Sequence, residues 1–474
     1  MELDHAACHR AHASKDRRFD GWFFIAVAST KIYCRPICPA RTPKPENCTF
    51  VRTPAEAEKL GYRPCLRCRP ERAPILADST FAASVDATRA VALAAARCIE
   101  NGELTGQSLE VIAEQLGVSS RHLRRVFTET WGVSPVEYAQ TTRLLTAKRL
   151  LTDTSLDVGV IAHASGFSSV RRMNALFLER YRMAPTRVRH GRRAKDEIAV
   201  ELAYHGSYDH VALMTFLGSR TWSGVESVLG GEYRRTLADG SNVGWLAASF
   251  DAERPILHLR FSASLGAAIT QIIATTRRVF DLDVDITAID DRLRGIPEGA
   301  GKRLPGAYVP FEMLLRAIIG QQVSVAAART VASRVAAQFG SQMTTPFPEL
   351  NLVSPSPETL AAASIADIQA CGMPTKRAET IVQVAEAVAN LEVDFSNRRE
   401  AARFLAVLRK IPGIGDWTVQ YVAMRAFGWP DAFPESDLGI YKALDVRTPA
   451  EARAAAEPYR PWRAYATIRL WSTL

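Results

Sequence analysis

The sequence predicts a multidomain chain, mainly α with α+β parts. Its 474 residues exceed an ordinary single domain several times over. Its character also changes along its length. Residues 1–75 are rich in Pro, Cys and Arg, 80–190 carry helical periodicity, 198–290 contain strand-like runs, and 300–474 are helical again. One pattern repeats: Ile112-Ala113 leads to Gly117-Val118-Ser119-Ser120, and Ile161-Ala162 leads to Gly166-Phe167-Ser168-Ser169, with the glycines 49 residues apart.

The composition, 47% hydrophobic and 23% charged, is that of a folded globular protein. It excludes a wholly disordered, collagen-like or small disulfide-scaffold chain. No apolar run approaches the length of a membrane span, so no membrane partner is expected. Met1-Glu2-Leu3-Asp4-His5 lacks a basic start with an apolar core, so no secretory signal is expected and the predicted location is the cytoplasm. The net charge of +9 is unevenly held: residues 1–197 carry +10 and residues 198–474 carry −1. A basic first part suggests a polyanionic partner, nucleic acid before membrane.

Seven of the eight cysteines lie in the first 98 residues. Cys34-x3-Cys38 and Cys65-x2-Cys68 form two pairs separated by 26 residues, each beside proline. In a cytoplasmic chain such pairs indicate metal rather than disulfides, and Cys34, Cys38, Cys65 and Cys68 supply the four soft ligands that Zn²⁺ takes. Cys48 has no such mate and is expected in a core, and Cys8 is read as incidental. Four thiolates on Zn²⁺ leave a net charge of −2, so a sulfur there stays nucleophilic near neutral pH. Lys31, Arg35, Arg41, Arg63, Arg67 and Arg69 surround the pairs. Lys31 to Cys38 and Gly61 to Cys68 closely resemble the N-terminal domain of the Ada family of bacterial alkylation-response proteins. The resemblance implies that Cys34 accepts a methyl group irreversibly, once per chain, from a methyl phosphotriester in DNA, while the other three cysteines remain ligands. The Pro-Cys-His-Arg motif of that family's second methyltransferase is missing, since Ala7-Cys8-His9-Arg10 lacks the proline. Direct repair of guanine O6 is therefore not expected.

In the first repeat, Ser108 caps a helix running to Leu116, Gly117 makes the turn, and Ser119 starts a recognition helix exposing Arg121, His122, Arg124 and Arg125. In the second, Ser168 marks the start and Arg171, Arg172 and Asn174 are the exposed candidates. Two helix-turn-helix units about this far apart resemble the AraC family. That implies recognition helices in successive major grooves of promoter DNA, with RNA polymerase as a further partner and a nucleoid-associated location. His163 and the crowded Arg171-Arg172-Met173 depart from the pattern, so the operator sequence does not carry over.

Leu408 to Thr418 reads as a helix, a Gly/Pro hairpin and a new helix. Gly413 and Gly415 let the backbone turn tightly and approach a phosphate. Asp437 lies 20 residues beyond Trp417. This arrangement resembles the helix-hairpin-helix DNA glycosylases, best of all the AlkA-type 3-methyladenine branch. Gly320 to Ala326, Trp417 to Tyr421 and Pro461 to Ala466 match its segments, and 198–290 resembles its N-terminal α+β domain. The resemblance implies excision of N-alkylated purines such as 3-methyladenine from a flipped-out position. Trp417 and Tyr421, one helical turn apart, and Trp471 would receive the base, with cation–π attraction favouring cationic lesions. Asp437 would support the cationic sugar or orient water; a plain N-cap before Leu438 is the alternative. Gln322 occupies the place of the wedge that fills the gap left by the base. Carbonyls of Arg409, Ile411 and Gly413 would hold a monovalent cation.

The expected division is a zinc methyl-acceptor domain over 1–78, a double helix-turn-helix domain over 79–192, an AlkA-like N-terminal α+β domain over 198–295, and an all-α helix-hairpin-helix domain over 296–474. Two rival expectations stay open. One is a pure regulator whose last domain binds DNA without excision. The other is a repair enzyme whose helix-turn-helix adds only nonspecific affinity.

Overall fold

The computed structural model describes residues 3–74, 87–100, 102, 104, 108–189, 197–240, 242–297, 299–390 and 398–474. The domain boundary expected at 78–79 and the end of the basic linker, 190–193, lie outside the described residues. The chain divides into two units, Met1–His205 with Arg254–Ala274, and Gly206–Glu253 with Thr275–Leu474.

In the first unit, helix α1 (His5–Ala13) precedes a sheet of β1 (Phe24–Val27), β2 (Ile32–Cys34), β3 (Cys48–Val51) and β4 (Arg63–Pro64), ordered β3-β1-β2-β4. All four residues of β1 are buried, as suits a strand flanked on both edges. Pro64 sits on the edge strand, where a missing N–H costs no ladder bond. Between β3 and β4, Thr53 caps the short helix α2 (Pro54–Lys59).

Six helices follow: α3 (Ala87–Glu100), α4 (Leu109–Gln115), α5 (Ser120–Trp131), α6 (Pro135–Asp153), α7 (Val158–Ala164) and α8 (Val170–Tyr181). α6 opens on a full capping box between Ser134 and Glu137 with proline at its first turn. The two turns match closely. Gly117 and Gly166 are left-handed, and the next residue in each donates back to the alanine before the helix end, Val118 to Ala113 and Phe167 to Ala162. They differ in length. Ser119 caps α5 as expected, but Ser169, not Ser168, caps α8, because the second turn holds one more residue.

Five strands follow, β5 (Glu197–Ala203), β6 (Glu226–Leu229), β7 (Glu232–Asp239), β8 (Asn242–Phe250) and β9 (Ile256–Ser262). In the first unit, β5 and β9 pair antiparallel with Ile198, Val200 and Leu202 buried in alternation. In the second, β6, β7 and β8 form an antiparallel meander. The remaining helices are α9 (His210–Gly218), α10 (Ile269–Val279), α11 (Ile286–Arg292), α12 (Pro310–Ile319), α13 (Val325–Phe339), α14 (Pro357–Ala361), α15 (Ile365–Ala370), α16 (Thr375–Ala389), α17 (Arg398–Leu408), α18 (Asp416–Arg425), α19 (Leu438–Leu444), α20 (Pro449–Ala456) and α21 (Arg463–Trp471). One core cluster of the second unit joins α12, α13, α16, α18 and α21, with Trp417, Tyr421 and Trp471 packed on its margin. Among the described residues no helix is long and apolar enough to cross a membrane.

Candidate functional sites

Parallel pairing of β2 with β4 sets Tyr33 beside Pro64, and the Cys65 N–H donates to the Tyr33 carbonyl at 3.0 Å. That register brings the residues that follow, Cys34 and Cys65, together. A turn closed by Cys38 N–H on the Arg35 carbonyl returns Cys38, and the Arg35 N–H donates to Cys68 Sγ at 3.3 Å. The four sulfurs all lie within 4.8 Å of one another. With Zn–S bonds of about 2.3 Å, tetrahedral sulfurs stand about 3.8 Å apart, so this donor set fits Zn²⁺. Cys38, Cys65 and Cys68 are buried, whereas Cys34 is partly exposed. Cys48 sits in a separate apolar cluster, as expected, and Cys8 packs in the same cluster.

The basic residues around the cluster divide into two kinds. Lys31, Arg41 and Arg67 are exposed. Arg35 is buried, its Nε donating to Asp20 at 2.8 Å and its Nη1 to the Cys68 carbonyl at 3.1 Å. Arg69 bridges Glu71 at 2.9 Å and Asp153 at 2.6 Å. Those two hold the fold instead of facing outward, a distinction that sequence clustering does not carry.

On α5, Arg121, Arg124 and Arg125 are exposed and His122 is half-buried, while Leu123, Val126 and Phe127 face the core. On α8, Arg171, Arg172 and Asn174 are exposed opposite buried Met173, Phe177 and Tyr181. Arg124 pairs with Glu110 at 3.2 Å and Arg125 with Glu129 at 3.0 Å. Exposed pairs of this kind contribute at most about 1 kcal/mol and yield readily to a phosphate.

In the second unit, α18 begins with no side-chain cap on Gly415, so the N–H groups of its first turn face outward. A Cβ on Gly415 would meet nothing within 4 Å, leaving its front open. Gly413 has φ +88°, and a Cβ there would fall 2.3 Å from Thr380 Oγ1, so the hairpin requires glycine. The Gly413 carbonyl accepts from Gln321 Nε2 at 2.9 Å, and the Ile411 carbonyl accepts from the Ile414 N–H at 3.1 Å. Two of the three oxygens named for a cation, those of Ile411 and Gly413, thus already serve the hairpin. Gln321 Nε2 also reaches Thr418 Oγ1 at 3.0 Å, and Arg377 donates to the Gln321 carbonyl at 2.7 Å. These bonds hold a tight turn whose tip is the exposed Gln322, at φ +56°. A non-glycine residue in that region is costly and marks a constrained tip.

Asp437 caps α19, its Oδ1 accepting from the Ile440 N–H at 2.9 Å. The same carboxylate receives two indole N–H donors, Trp471 on Oδ1 at 2.9 Å and Trp417 on Oδ2 at 2.8 Å. Three of about four acceptor positions are filled, and the remaining one is on Oδ2. The two tryptophans are therefore donors to the carboxylate as well as apolar surface, which residue type alone did not reveal. Trp417 and Tyr421 stack with ring centroids 5.1 Å apart at 12°, and Trp471 lies tilted 6.1 Å from Tyr421. No base fits between the stacked rings; a base would meet an outer face of the trio. Behind Tyr421, buried Arg425 donates to its hydroxyl at 3.1 Å, and burial pulls this guanidinium down to about 10. Sequence reasoning missed Arg425, whose place one turn beyond Tyr421 was the available signal.

Four families match consecutive parts of the chain: the metal binding domain of Ada over residues 7–71, a helix-turn-helix domain over 112–191, the AlkA N-terminal domain over 199–310, and the HhH-GPD superfamily of base excision DNA repair proteins over 315–448. The chain is 34% identical, over its whole length and 97% of the relative, to a probable bifunctional transcriptional activator/DNA repair enzyme AlkA of Mycobacterium tuberculosis. It is 36% identical to DNA-3-methyladenine glycosylase 2 of Escherichia coli over 57% of this chain and 96% of that protein. With the bifunctional transcriptional activator/DNA repair enzyme Ada of Escherichia coli it shares 36% identity over 29% of this chain and 35% of the relative.

Proposed function

From the premise that this chain belongs to the family of bifunctional transcriptional activator/DNA repair enzymes, we propose which residues perform each activity and how the two are linked. The family pairs a zinc-binding, DNA-binding regulator with a DNA glycosylase, and the chain carries both. The four segments 1–78, 79–192, 198–295 and 296–474 divide these tasks.

Cys34 is the methyl acceptor. What supports it is the match of residues 7–71 to the metal binding domain of Ada, together with Cys34 being the residue of the four that is not fully buried while Cys68 already accepts an N–H. Bound Zn²⁺ keeps all four sulfurs as thiolates at neutral pH. The Cys34 sulfur attacks the methyl carbon of a methyl phosphotriester. An S–C bond forms, the C–O bond breaks, and the electron pair leaves on the phosphate oxygen as a phosphodiester. No step restores the thiolate, so each chain reacts once.

Methylation turns Cys34 into a neutral thioether, and the centre moves from −2 to −1. One unit charge about 7 Å from a phosphate, at an effective dielectric near 20, is worth about 2 kcal/mol, roughly thirty-fold in affinity. Arg121, His122, Arg124, Arg125, Arg171, Arg172 and Asn174 then hold promoter DNA, and RNA polymerase is recruited there, on the nucleoid in the cytoplasm. Operator affinity measured with methylated and unmethylated protein should differ about thirty-fold at low salt. The ratio should shrink as salt rises; a ratio of one throughout rejects the switch.

In the second unit, Gly413, Gly415 and the open first turn of α18 bind a backbone phosphate, and Gln322 fills the space of the extruded nucleotide. An N-alkylated purine stacks on the Trp417–Tyr421–Trp471 trio. The Asp437 carboxylate supports the sugar cation as the C1′–N bond breaks, the base leaves with the electron pair, and water adds at C1′ and releases a proton to solvent, leaving an abasic site. Release of free 3-methyladenine from methylated duplex DNA tests this directly. Binding without release establishes the regulator-only alternative.

A further inference from the structure

Helix α2 is six residues long, yet two adjacent side chains on it reach three later helices. Glu58 is 3% exposed. Its Oε1 accepts from the Tyr33 hydroxyl at 3.1 Å and the Tyr181 hydroxyl at 3.0 Å, and its Oε2 accepts from Thr141 Oγ1 at 2.9 Å. Tyr33 immediately precedes Cys34, Tyr181 is the last residue of α8, and Thr141 lies on α6. The neighbouring Lys59 donates to the carbonyl of Gly132, the residue that ends α5, at 2.9 Å. Thus α2 grips the C-terminal ends of both recognition helices and the long helix between them.

A second attachment stands further along α6. Lys148 Nζ meets both Glu71 oxygens at 2.6 Å, and Asp153 takes Arg69 at 2.6 Å and Arg72 at 3.0 Å. Arg69 directly follows the ligand Cys68. The four-sulfur centre is therefore tied to α6 from both of its cysteine pairs.

A buried carboxylate is an expensive way to join elements, since apolar side chains of the same volume do so at lower cost. Three hydroxyls converging on one carboxylate do something an apolar contact does not: they admit one mutual arrangement and penalise slippage. Glu58 has no place in either reaction, and each of its donors comes from a different element.

We propose that Glu58 is a positioning residue that fixes Cys34 relative to both recognition helices, so that the methylation state of Cys34 is felt at a constant distance by the DNA they bind. The proposal rests on Cys34 as acceptor and on the methylation-dependent operator affinity described above.

The test uses the full-length zinc-loaded protein and a duplex from its own promoter, with methylation by an oligonucleotide carrying a methyl phosphotriester. Thr141→Val and Tyr181→Phe together remove two of the three donors while keeping volume. This double variant should take up the methyl group at the wild-type rate and bind random duplex normally. Its affinity ratio between methylated and unmethylated forms should fall at least five-fold. Glu58→Gln, whose amide can still accept from the tyrosines and donate to Thr141, should keep the wild-type ratio. A double variant with one zinc, normal methyl uptake and an undiminished ratio overturns the proposal. Should the double variant fail to hold zinc, Tyr181→Phe alone is read the same way, with at least a two-fold fall expected. A wild-type ratio of one rejects the switch itself. Amide exchange then decides the mount: faster exchange at the last turns of α5 and α8 in Tyr181→Phe supports it, and unchanged exchange overturns it.

Discussion

At the cysteine centre, the Arg35 N–H is directed to Cys68, and Cys34 stands partly exposed among buried neighbours. In the second unit, Asp437 takes two indole N–H groups and a backbone N–H, with one acceptor position left over. In the reactions proposed, each site holds an anion beside damaged DNA, and the donors are placed in opposite ways. A nucleophile that is consumed must be reachable and reactive, and its partners keep the fold after it is spent. A carboxylate that returns after every turnover must be stationary, because its charge acts only at the correct distance from the sugar.

The sharpest way to break this contrast is to remove each anion in turn. Cys34→Ser should abolish methyl uptake, read by mass spectrometry of the Cys34 peptide after exposure to methylated DNA, while base release continues. If the variant still takes the methyl at that position or elsewhere in the cluster, exposure did not select the acceptor. Asp437→Asn keeps the size and the cap on α19 but lacks the charge. It should bind duplex DNA normally and lose base release by roughly 10²–10³-fold; wild-type release would show that the carboxylate is only a cap.

Trp417→Phe preserves most of the ring surface and deletes the donor to Oδ2. About ten-fold lower kcat with KM unchanged is the expected result, in line with a hydrogen bond to a charged group. A rise in KM alone would mean that Trp417 acts as a stacking surface and not as a support for Asp437. Because Arg425 draws on the Tyr421 hydroxyl, Tyr421 should contribute less to the preference for cationic bases than either tryptophan.

A separate effect, on stability, concerns Glu58. Burial pushes its carboxyl from the ordinary 4.5 up to about 7, so the folded chain holds this proton more tightly than the unfolded one. Stability from this group is complete below about pH 4.5 and is lost as pH rises through about 7, a total of about 3 kcal/mol. Urea midpoints of the first unit's transition should fall across that window, and Glu58→Gln should flatten the slope. An equal slope in the variant would assign the dependence to another group.

The order of segments, the four-cysteine cluster and the motifs of the two DNA-acting parts were legible because they are local. Cysteine spacing, a glycine turn followed by a serine cap, and a Gly/Pro hairpin each write their geometry within a dozen residues. What escaped was long-range. Tyr33, Glu58, Thr141 and Tyr181 span 148 residues by number and meet only after folding. The ion pairing of Arg35 and Arg69 was hidden because charge clustering in sequence does not distinguish a surface cation from one locked against Asp20 or Asp153. The indole donors to Asp437 were likewise invisible, since a tryptophan's ring signals burial before it signals its N–H. The cap at Ser169 was misplaced by one residue because two serines in succession offer the same chemistry, and only the longer turn decides between them.

That extra turn residue bears on how the protein lies along DNA. Counted from their caps, α5 offers Arg121, His122, Arg124 and Arg125, while α8 offers Arg171, Arg172, Asn174 and Ala175 at the same four positions. The insertion is absorbed before the helix begins, so both helices turn the same face outward but spell different words on it. Arginine pairs with guanine edges and asparagine with adenine. On the proposed reading of these positions, a chain carrying two unlike words in tandem has a head and a tail on the promoter. If these positions contact bases as proposed, reversing the binding site would mismatch both helices at once and give the protein a direction along the promoter.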